Sequence, residues 1–270
     1  MTAQPRASVL MPVLSPEPRL LREAIDSVRA QTMTDWELVI VEDPSPRTGQ
    51  AVVESYRDPR IRYHLNPERT SLCRQRNRTL ELARAEYVAM LDADDVAMPG
   101  RLERQVRFLD DHPEVGVVGS WIEAMDVRGR PLGVRRYPTG HDEIHAAMRR
   151  YNPIAQPSVM ARRSVILGAG GYQYDLHPAV EDYDLWCRLA KAGVKFANLP
   201  RPLLRYRIHS SGSKSSKLHL ILQGTMNVKK THWGREMGLV DQARLACERA
   251  LMFLPASWVL RLFLAMSYSR

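Results

Sequence analysis

Short apolar runs alternate along the first part of the chain with segments whose apolar residues recur every three to four positions. The runs at 8–14, 37–41 and 87–91 have the length and composition of buried β-strands. Between the first two runs, Leu21 and Val28 lie on one face of a predicted helix. Strands that alternate with helices predict a mainly parallel central sheet flanked by helices, which is an α/β fold.

The same alternation continues beyond these runs. Further strands are predicted at 61–65, 115–121, 159–161, 195–198 and 203–208. Further helices are predicted at 48–56, 71–84, 101–111, 142–150 and 181–193. From Leu218 onward the pattern is helical and rich in Met, Leu, Trp and Arg, which predicts a C-terminal helical appendage.

Acidic side chains stand at the ends of two predicted strands. Glu42 and Asp43 end the second strand, and Asp92 and Asp94 follow the strand at 87–91. Ligands of open α/β sheets bind outside the carboxyl ends of the strands, so we expect one shared site there. Alternation points Asp92 and Asp94 to the same side, where carboxylates can hold Mg²⁺ together with substrate phosphates. The alternative for each segment taken alone is an acidic turn that caps a helix.

Two classes of nucleotide-using enzyme fit this pattern poorly. A dinucleotide oxidoreductase needs a glycine-rich phosphate loop after the first strand, and residues 12–20 contain no glycine. A sugar-phosphate nucleotidyltransferase is expected to need such a loop as well. The glycine-rich stretch at 168–171 lacks the GxGxxG spacing and does not open a helix, so it is predicted to be a turn.

Charge and composition narrow the partners. The 270 residues carry a formal net charge of +9, which suits an anionic membrane or a phosphorylated substrate. Long Lys/Arg runs are missing, so nucleic-acid binding is not expected. Three widely spaced cysteines favour a reducing compartment, and we expect a cytoplasmic protein. The apolar stretch at 253–266 is too short and too interrupted to span a bilayer. It either packs on the core or lies peripherally on the inner face of the membrane.

In their order along the chain, six stretches resemble the family 2 glycosyltransferases, the inverting group with the GT-A fold. The stretches are 8–13, 25–43, Arg76-Asn77, 86–95, 181–186 and 205–209. The resemblance covers about residues 7–215 and leaves the sugar unspecified. It implies a GT-A domain at 1–215, with a nucleotide-binding half at about 1–97 and an acceptor-binding half at about 98–215. A helical extension at 216–270 follows.

The resemblance also implies roles for individual residues. The residues expected to bind the nucleotide sugar are Pro12, Val13, Asp43, Arg76, Asp92 and Ala93. Asp94, which ends a DXD motif, and His209 are the expected ligands of a divalent metal, Mn²⁺ or Mg²⁺. Asp182 is the expected catalytic base. Glu181 and Trp186 are candidates for acceptor binding, although a tryptophan here is also typical of a core side chain.

The implied reaction moves a sugar from a nucleotide-diphosphate sugar to a hydroxyl of a glycan or lipid-linked acceptor. It is a metal-assisted single displacement, with a base in reach of the hydroxyl and inversion at the sugar. The resemblance favours a UDP-sugar and leaves GDP- and dTDP-sugars open. Glu42 stands where the family more often has Asp, so a differently shaped base-binding loop is expected. The alternative is a non-catalytic binding module, against which Asp43, Asp94, Asp182 and His209 together argue.

Overall fold

The computed structural model describes residues 4–173, 179–209, 218–255 and 258–259. The strands are β1 (Ala7–Leu14), β2 (Trp36–Asp43), β3 (Ile61–Leu65), β4 (Tyr87–Met90), β5 (Val96–Ala97), β6 (Val115–Met125), β7 (Pro131–Arg135), β8 (Met160–Arg162) and β9 (Lys195–Arg207). The first helices are α1 (Pro18–Arg29), α2 (Gln50–Glu54), α3 (Leu72–Leu82), α4 (Arg101–Asp111) and α5 (His141–Ala147). The later ones are α6 (Arg163–Gly168), α7 (Glu181–Lys191), α8 (Leu218–Trp233) and α9 (Leu239–Leu251), with short 3₁₀ helices at Gln156–Ser158 and Gly234–Glu236.

Within the described residues, nine strands form one sheet in the order β3-β2-β1-β4-β8-β6-β9-β5, with β7 paired to β6. The strands β3, β2, β1 and β4 run parallel to one another. β8 lies antiparallel between β4 and β6, whereas β6 and β9 are parallel. The predicted α/β class is confirmed, and the antiparallel pairs are confined to the second half of the sheet.

Helices cover both faces of β4, which explains its uninterrupted apolar sequence. Tyr87 and Ala89 pack into one core beneath α1 and α4. Val88 and Met90 pack into a second core beneath α3 and α7. A strand buried on both faces has no polar alternation, and burial of each large apolar side chain contributes about 1.5–3 kcal/mol. This rigid central strand carries Asp92 and Asp94 at its carboxyl end.

The strand β9 is continuous, although the sequence predicts two separate strands there. Pro200 and Pro202 suggested a break, because proline donates no hydrogen bond to a neighbouring strand. The structure accommodates this stretch through shifts in register against β6 around Ser120 and Trp121. As a result, one strand leads without interruption to the segment that carries His209.

The two C-terminal helices differ in how they meet the rest of the chain. α8 packs on α7 and buries Val228 and Trp233 in the second core. α9 contacts α8, where Lys229 pairs with Glu248 at 2.5 Å, and it has no fully buried residue. The boundary predicted at 215/216 lies outside the described residues. In the part of the chain that the structure describes, no helix is both long and apolar enough to cross a membrane.

Candidate active site

Hydrogen bonds from the end of β9 fix the turn at 92–95 that follows β4, named the DXD segment after its predicted role. Asp95 is buried, and its Oδ1 accepts a hydrogen bond from the backbone N–H of Arg207 at 2.8 Å. The guanidinium of Arg207 donates to the carbonyl oxygen of Asp94 at 2.8 Å and pairs with Glu23 at 2.6 Å. With its backbone fixed in this way, the turn leaves the side chains of Asp92 and Asp94 partly open, at 33% and 39% exposure.

His209 meets Asp94 directly, although 115 residues separate the two in sequence. Its Nε2 lies 2.7 Å from Oδ2 of Asp94. At this distance the two groups form a hydrogen bond, which brings a carboxylate oxygen and an imidazole nitrogen side by side. The described residues contain no cluster of three or more potential metal ligands, so a bound ion would need further ligands from the donor or from water.

Asp43 ends β2 and lies next to Val13 and Leu14 of β1 in the sheet register. The residue is 1% exposed. Its carboxylate accepts hydrogen bonds from the Asn66 side chain at 2.6 Å and from the backbone N–H of Thr70 at 2.7 Å. Pro12 pairs with Val41 across the two strands, so the predicted base-contacting residues lie together at the strand ends.

Glu42 shapes the loop that follows β2. Its carboxylate accepts hydrogen bonds from the backbone N–H of Gly49 at 2.9 and 3.0 Å and from the hydroxyl of Tyr63 at 2.8 Å. A Cβ atom on Gly49 would lie 2.7 Å from the side chain of Leu21, so a larger residue would displace the loop from α1. The departure at Glu42 noted in the sequence therefore has a structural function in closing this loop.

Arg76 of α3 is a buried cation between the two acidic segments. Its Nη1 donates to Glu181 at 2.5 Å, and its Nη2 lies 3.7 Å from Asp92. The ring of Tyr172 stacks near the guanidinium, 5.3 Å from ring centroid to Cζ. Burial disfavours the charge, but the carboxylates of Glu181 and Asp92 outweigh this and raise the pKa of Arg76. Arg76 thus joins the Asp92 segment to α7.

Asp182 lies in the first turn of α7 and is partly buried. Burial and the adjacent charge of Glu181 raise its pKa to about 6, against the opposing effect of Arg76. The side-chain amide of Asn152 donates to its Oδ2 at 2.9 Å. A carboxylate with this pKa is ionised at neutral pH and more basic than an ordinary aspartate, which suits proton acceptance.

Two candidates for acceptor binding occupy structural positions. Trp186 is completely buried in the second core, so its ring offers no surface to an acceptor, and this expectation is corrected. The indole points inward because it lies on the core-facing side of α7, next to Leu185 and Leu189. Glu181 is also buried, and its carboxylate is the partner of Arg76.

The sequence reasoning missed two residues that shape the site. Asn152, which holds Asp182, lies in a loop whose contacts no local pattern indicates. Arg207 holds the DXD turn, and its place in the stretch 205–209 was the available signal. Both make contacts between segments far apart in sequence, and such contacts leave no periodic trace.

The fold is that of the GT-A glycosyltransferases. The mannosyltransferase PcManGT from Pyrobaculum calidifontis, solved in complex with GDP-Man and Mn²⁺, aligns over 98% of this chain and 74% of its own, with a TM-score of 0.65 and 18% identity. TarS 1-349 from S. aureus, solved in complex with UDP, aligns over 92% of this chain and 72% of its own, with a TM-score of 0.62 and 17% identity. At these identities the likeness shows the fold.

The sequence comparisons identify the family. The model of glycosyl transferase family 2 matches residues 8–167. The amylovoran biosynthesis glycosyltransferase AmsE of Erwinia amylovora is 32% identical over 207 residues, which span 75% of this chain and 76% of AmsE. This chain belongs to glycosyl transferase family 2, and it is a glycosyltransferase.

Proposed function

We propose that this enzyme transfers a sugar with inversion from a UDP-sugar to a hydroxyl of a glycan or lipid-linked acceptor. The observation that carries the proposal is the pairing of two different acidic sites through one cation. Arg76 contacts Asp92 of the exposed DXD segment, and it contacts Glu181, which lies beside the proposed base Asp182. Donor binding on one side and proton acceptance on the other are the two functions that a single displacement requires.

In the proposed step, Asp182 accepts the proton of the acceptor hydroxyl while that oxygen attacks the anomeric carbon. The new carbon–oxygen bond forms opposite the bond to the diphosphate oxygen, which breaks and releases the nucleoside diphosphate. Attack from the opposite side inverts the anomeric configuration, as in inverting hydrolases. Asn152 orients the accepting carboxylate through its hydrogen bond of 2.9 Å. In this assignment 1–215 forms the transferase domain.

Asp94 and His209 would hold a divalent ion, because they offer one carboxylate oxygen and one imidazole nitrogen 2.7 Å apart. When bound, Mn²⁺ or Mg²⁺ would neutralise negative charge on the diphosphate leaving group. Arg76, through Asp92, and Arg207, through the carbonyl oxygen of Asp94, keep the DXD segment in place for this task. The Mn²⁺ complex of PcManGT supports the choice of a divalent ion.

We propose that the base of the donor nucleotide is uracil, which the family resemblance favours. The complex of TarS with UDP supports this choice, and the GDP-Man complex of PcManGT keeps GDP-sugars as the competitor in the test. Pro12, Val13 and Asp43 would contact the base and ribose, and Asp92 and Ala93 the ribose or sugar.

Thermal unfolding tests the donor site directly. We expect UDP or a UDP-sugar with Mn²⁺ to raise the melting temperature, because a ligand that binds only the folded state stabilises it. GDP and dTDP should raise it less, and Asp94→Asn should abolish the shift. Asp111→Asn, an exposed acid of α4, is the matched control and should keep it. A shift without metal that persists in Asp94→Asn would contradict the metal site.

Inversion needs a second measurement. The anomeric proton of the product, followed by NMR during turnover, should show the configuration opposite to that of the donor. Retention of the donor's configuration would exclude the single displacement and with it the assignment of Asp182 as the base.

We also propose that the C-terminal part works at an anionic membrane surface. Its large apolar side chains include several with high exposure: Leu239 (85%), Val240 (64%), Phe253 (86%), Leu254 (41%) and Trp258 (65%). Aromatic and aliphatic side chains combined with a net charge of +9 fit the boundary of an anionic bilayer.

Co-sedimentation with vesicles tests this contact. The protein should bind phosphatidylglycerol vesicles, and Phe253→Ser with Trp258→Ser should weaken that binding about tenfold or more. Leu132→Ser, which removes a 47%-exposed leucine of β7, should leave it unchanged. Equal binding of all three proteins would refute the membrane contact.

A further inference from the structure

A groove of about 460 Å³ runs along the edge strand β5, and none of its lining residues has been assigned to donor, metal or proton binding. Val96 of β5 pairs directly with Arg205 of β9. Arg207, two residues further along β9, holds the backbone of Asp94. One end of the groove therefore lies next to the DXD segment. The lining residues of β9 run from Arg201 to Arg205, so the groove extends at most about 13 Å along the strand.

Three arginines line the groove: Arg104 of α4, and Arg201 and Arg205 of β9. No carboxylate is among its described lining residues. Within the described part of the chain, neither Arg104 nor Arg201 has a carboxylate partner, whereas Arg205 pairs with Glu123 at 2.9 Å. Arg76 and Arg207 of the candidate site, by contrast, are each paired with an acid, so the positive charge of Arg104 and Arg201 is less compensated than that of the site.

The remaining lining is apolar. Val96, Met98, Pro202 and Leu203 lie between the arginines. Guanidinium groups bind phosphate oxygens through paired hydrogen bonds, and an apolar floor favours a hydrocarbon chain. A ligand that satisfies both halves of this groove carries a phosphate group joined to an apolar chain.

We propose that the groove binds the acceptor, and that the acceptor is a lipid-linked phosphate or diphosphate. This inference rests on the proposed function and names its acceptor class. The arginines hold the phosphate, the apolar residues contact the first part of the lipid, and the glycan end extends toward Asp94 and Asp182. The end of the groove beside the DXD segment connects phosphate recognition to the proposed site of transfer.

Binding measurements with short-chain probes test the groove without turnover. The probes are octyl diphosphate, inorganic pyrophosphate and octyl glucoside, each titrated calorimetrically in the presence of EDTA. EDTA keeps diphosphates from binding at Asp94 through a metal. The proteins are the wild type, Arg104→Gln with Arg201→Gln, and the control Arg107→Gln, whose 84%-exposed side chain lies on the same helix.

We expect octyl diphosphate to bind wild type and Arg107→Gln alike, and the double variant at least tenfold more weakly, because two charge-assisted contacts are removed. Pyrophosphate should bind more weakly than octyl diphosphate, and octyl glucoside weakest. Equal affinity of the double variant for octyl diphosphate would overturn the proposal. Pyrophosphate binding as tight as octyl diphosphate would overturn the lipid-linked class and leave a site for free phosphate or nucleotide.

A parallel titration of UDP-sugar with Mn²⁺ separates this proposal from the one on which it rests. The double variant should bind the donor as the wild type does, because Arg104 and Arg201 lie outside the donor site. Loss of groove binding with intact donor binding supports the acceptor assignment. Donor binding that is missing in every protein, with groove binding present, would reject the UDP-sugar donor and not the groove.

Discussion

The two acidic segments that meet at Arg76 carry the same functional group in opposite surroundings. Asp94 stands on a turn after β4, 39% exposed and in contact with His209. Asp182 stands at the start of α7, where burial and the neighbouring charge of Glu181 raise its pKa to about 6. An accessible carboxylate beside an imidazole suits a cation, and a desolvated one suits a proton. The surroundings, more than the residue type, separate the two functions.

Asp182→Asn is expected to have the largest effect, because it removes the proposed base. The amide cannot accept the acceptor's proton, so we expect kcat to fall about 10²–10⁴-fold while donor binding is retained. Initial rates and UDP-sugar titrations measure the two effects separately. The control is Asp142→Asn, an acid in the first turn of α5, which should leave kcat unchanged. Full turnover by Asp182→Asn would remove it from the mechanism.

His209→Ala tests the proposed metal site at Asp94. Removing one of the two proposed metal ligands should raise the Mn²⁺ concentration for half-maximal activity by about 10–100-fold. Activity at saturating Mn²⁺ should recover in large part. His219→Ala, an exposed histidine of α8, is the control. An unchanged Mn²⁺ dependence would place His209 outside the metal site.

Glu181→Gln tests how the neighbouring charge sets the pKa of Asp182, through the pH dependence of the rate. The proposed mechanism requires ionised Asp182, so the rate should fall as pH drops through about 6. Glu181 raises that pKa, and its neutral replacement also leaves the positive charge of Arg76 balanced only by Asp92. Both effects move the acidic limb of the rate profile to lower pH, by about half a unit or more.

Glu86→Gln is the control for this profile, because Glu86 is an exposed acid paired with Arg162 at 3.1 Å. Its profile should match that of the wild type. A shift of the Glu181→Gln profile to higher pH would contradict the electrostatic account.

Asn152→Ala should give the smallest effect and the opposite sign. Its hydrogen bond stabilises the ionised form of Asp182 and lowers the pKa of that carboxyl. Without it the acidic limb should move to higher pH by a few tenths of a unit. Asn227→Ala, exposed on α8, should show no shift. A profile that stays in place would mean that Asn152 does not act on the base.

Much of the fold follows from periodicity that is visible along the chain. The helices at 101–111 and 181–191 and the strand after Glu86 occur where apolar spacing predicts them. The misses have local causes. The two prolines within β9 read as a break, and the two-residue β5 is too short for any pattern. Trp186 was open between core and surface because one helix position cannot show which face the rest of the chain covers.

The site, like the fold, has features that the sequence predicted and features that only the structure revealed. The order of motifs along the sequence was enough to select Asp94, Asp182 and His209 as candidates. The bridge from Arg76 to Glu181 spans 105 residues, and the hydrogen bond from Asn152 to Asp182 spans 30. Neither was predicted, since the distance between such side chains depends on how the two halves of the sheet pack.

By itself, the sequence determined the family, the α/β class and the chemical groups available for catalysis, because these depend on local spacing and residue type. Only the tertiary structure decided which carboxylate lies beside a buried acid and which lies beside His209. It also decided that Glu181 neutralises a buried arginine, and that three arginines from α4 and β9 share one groove. Burial and charge pairing arise between segments far apart in the chain, so they exist only once the chain has folded.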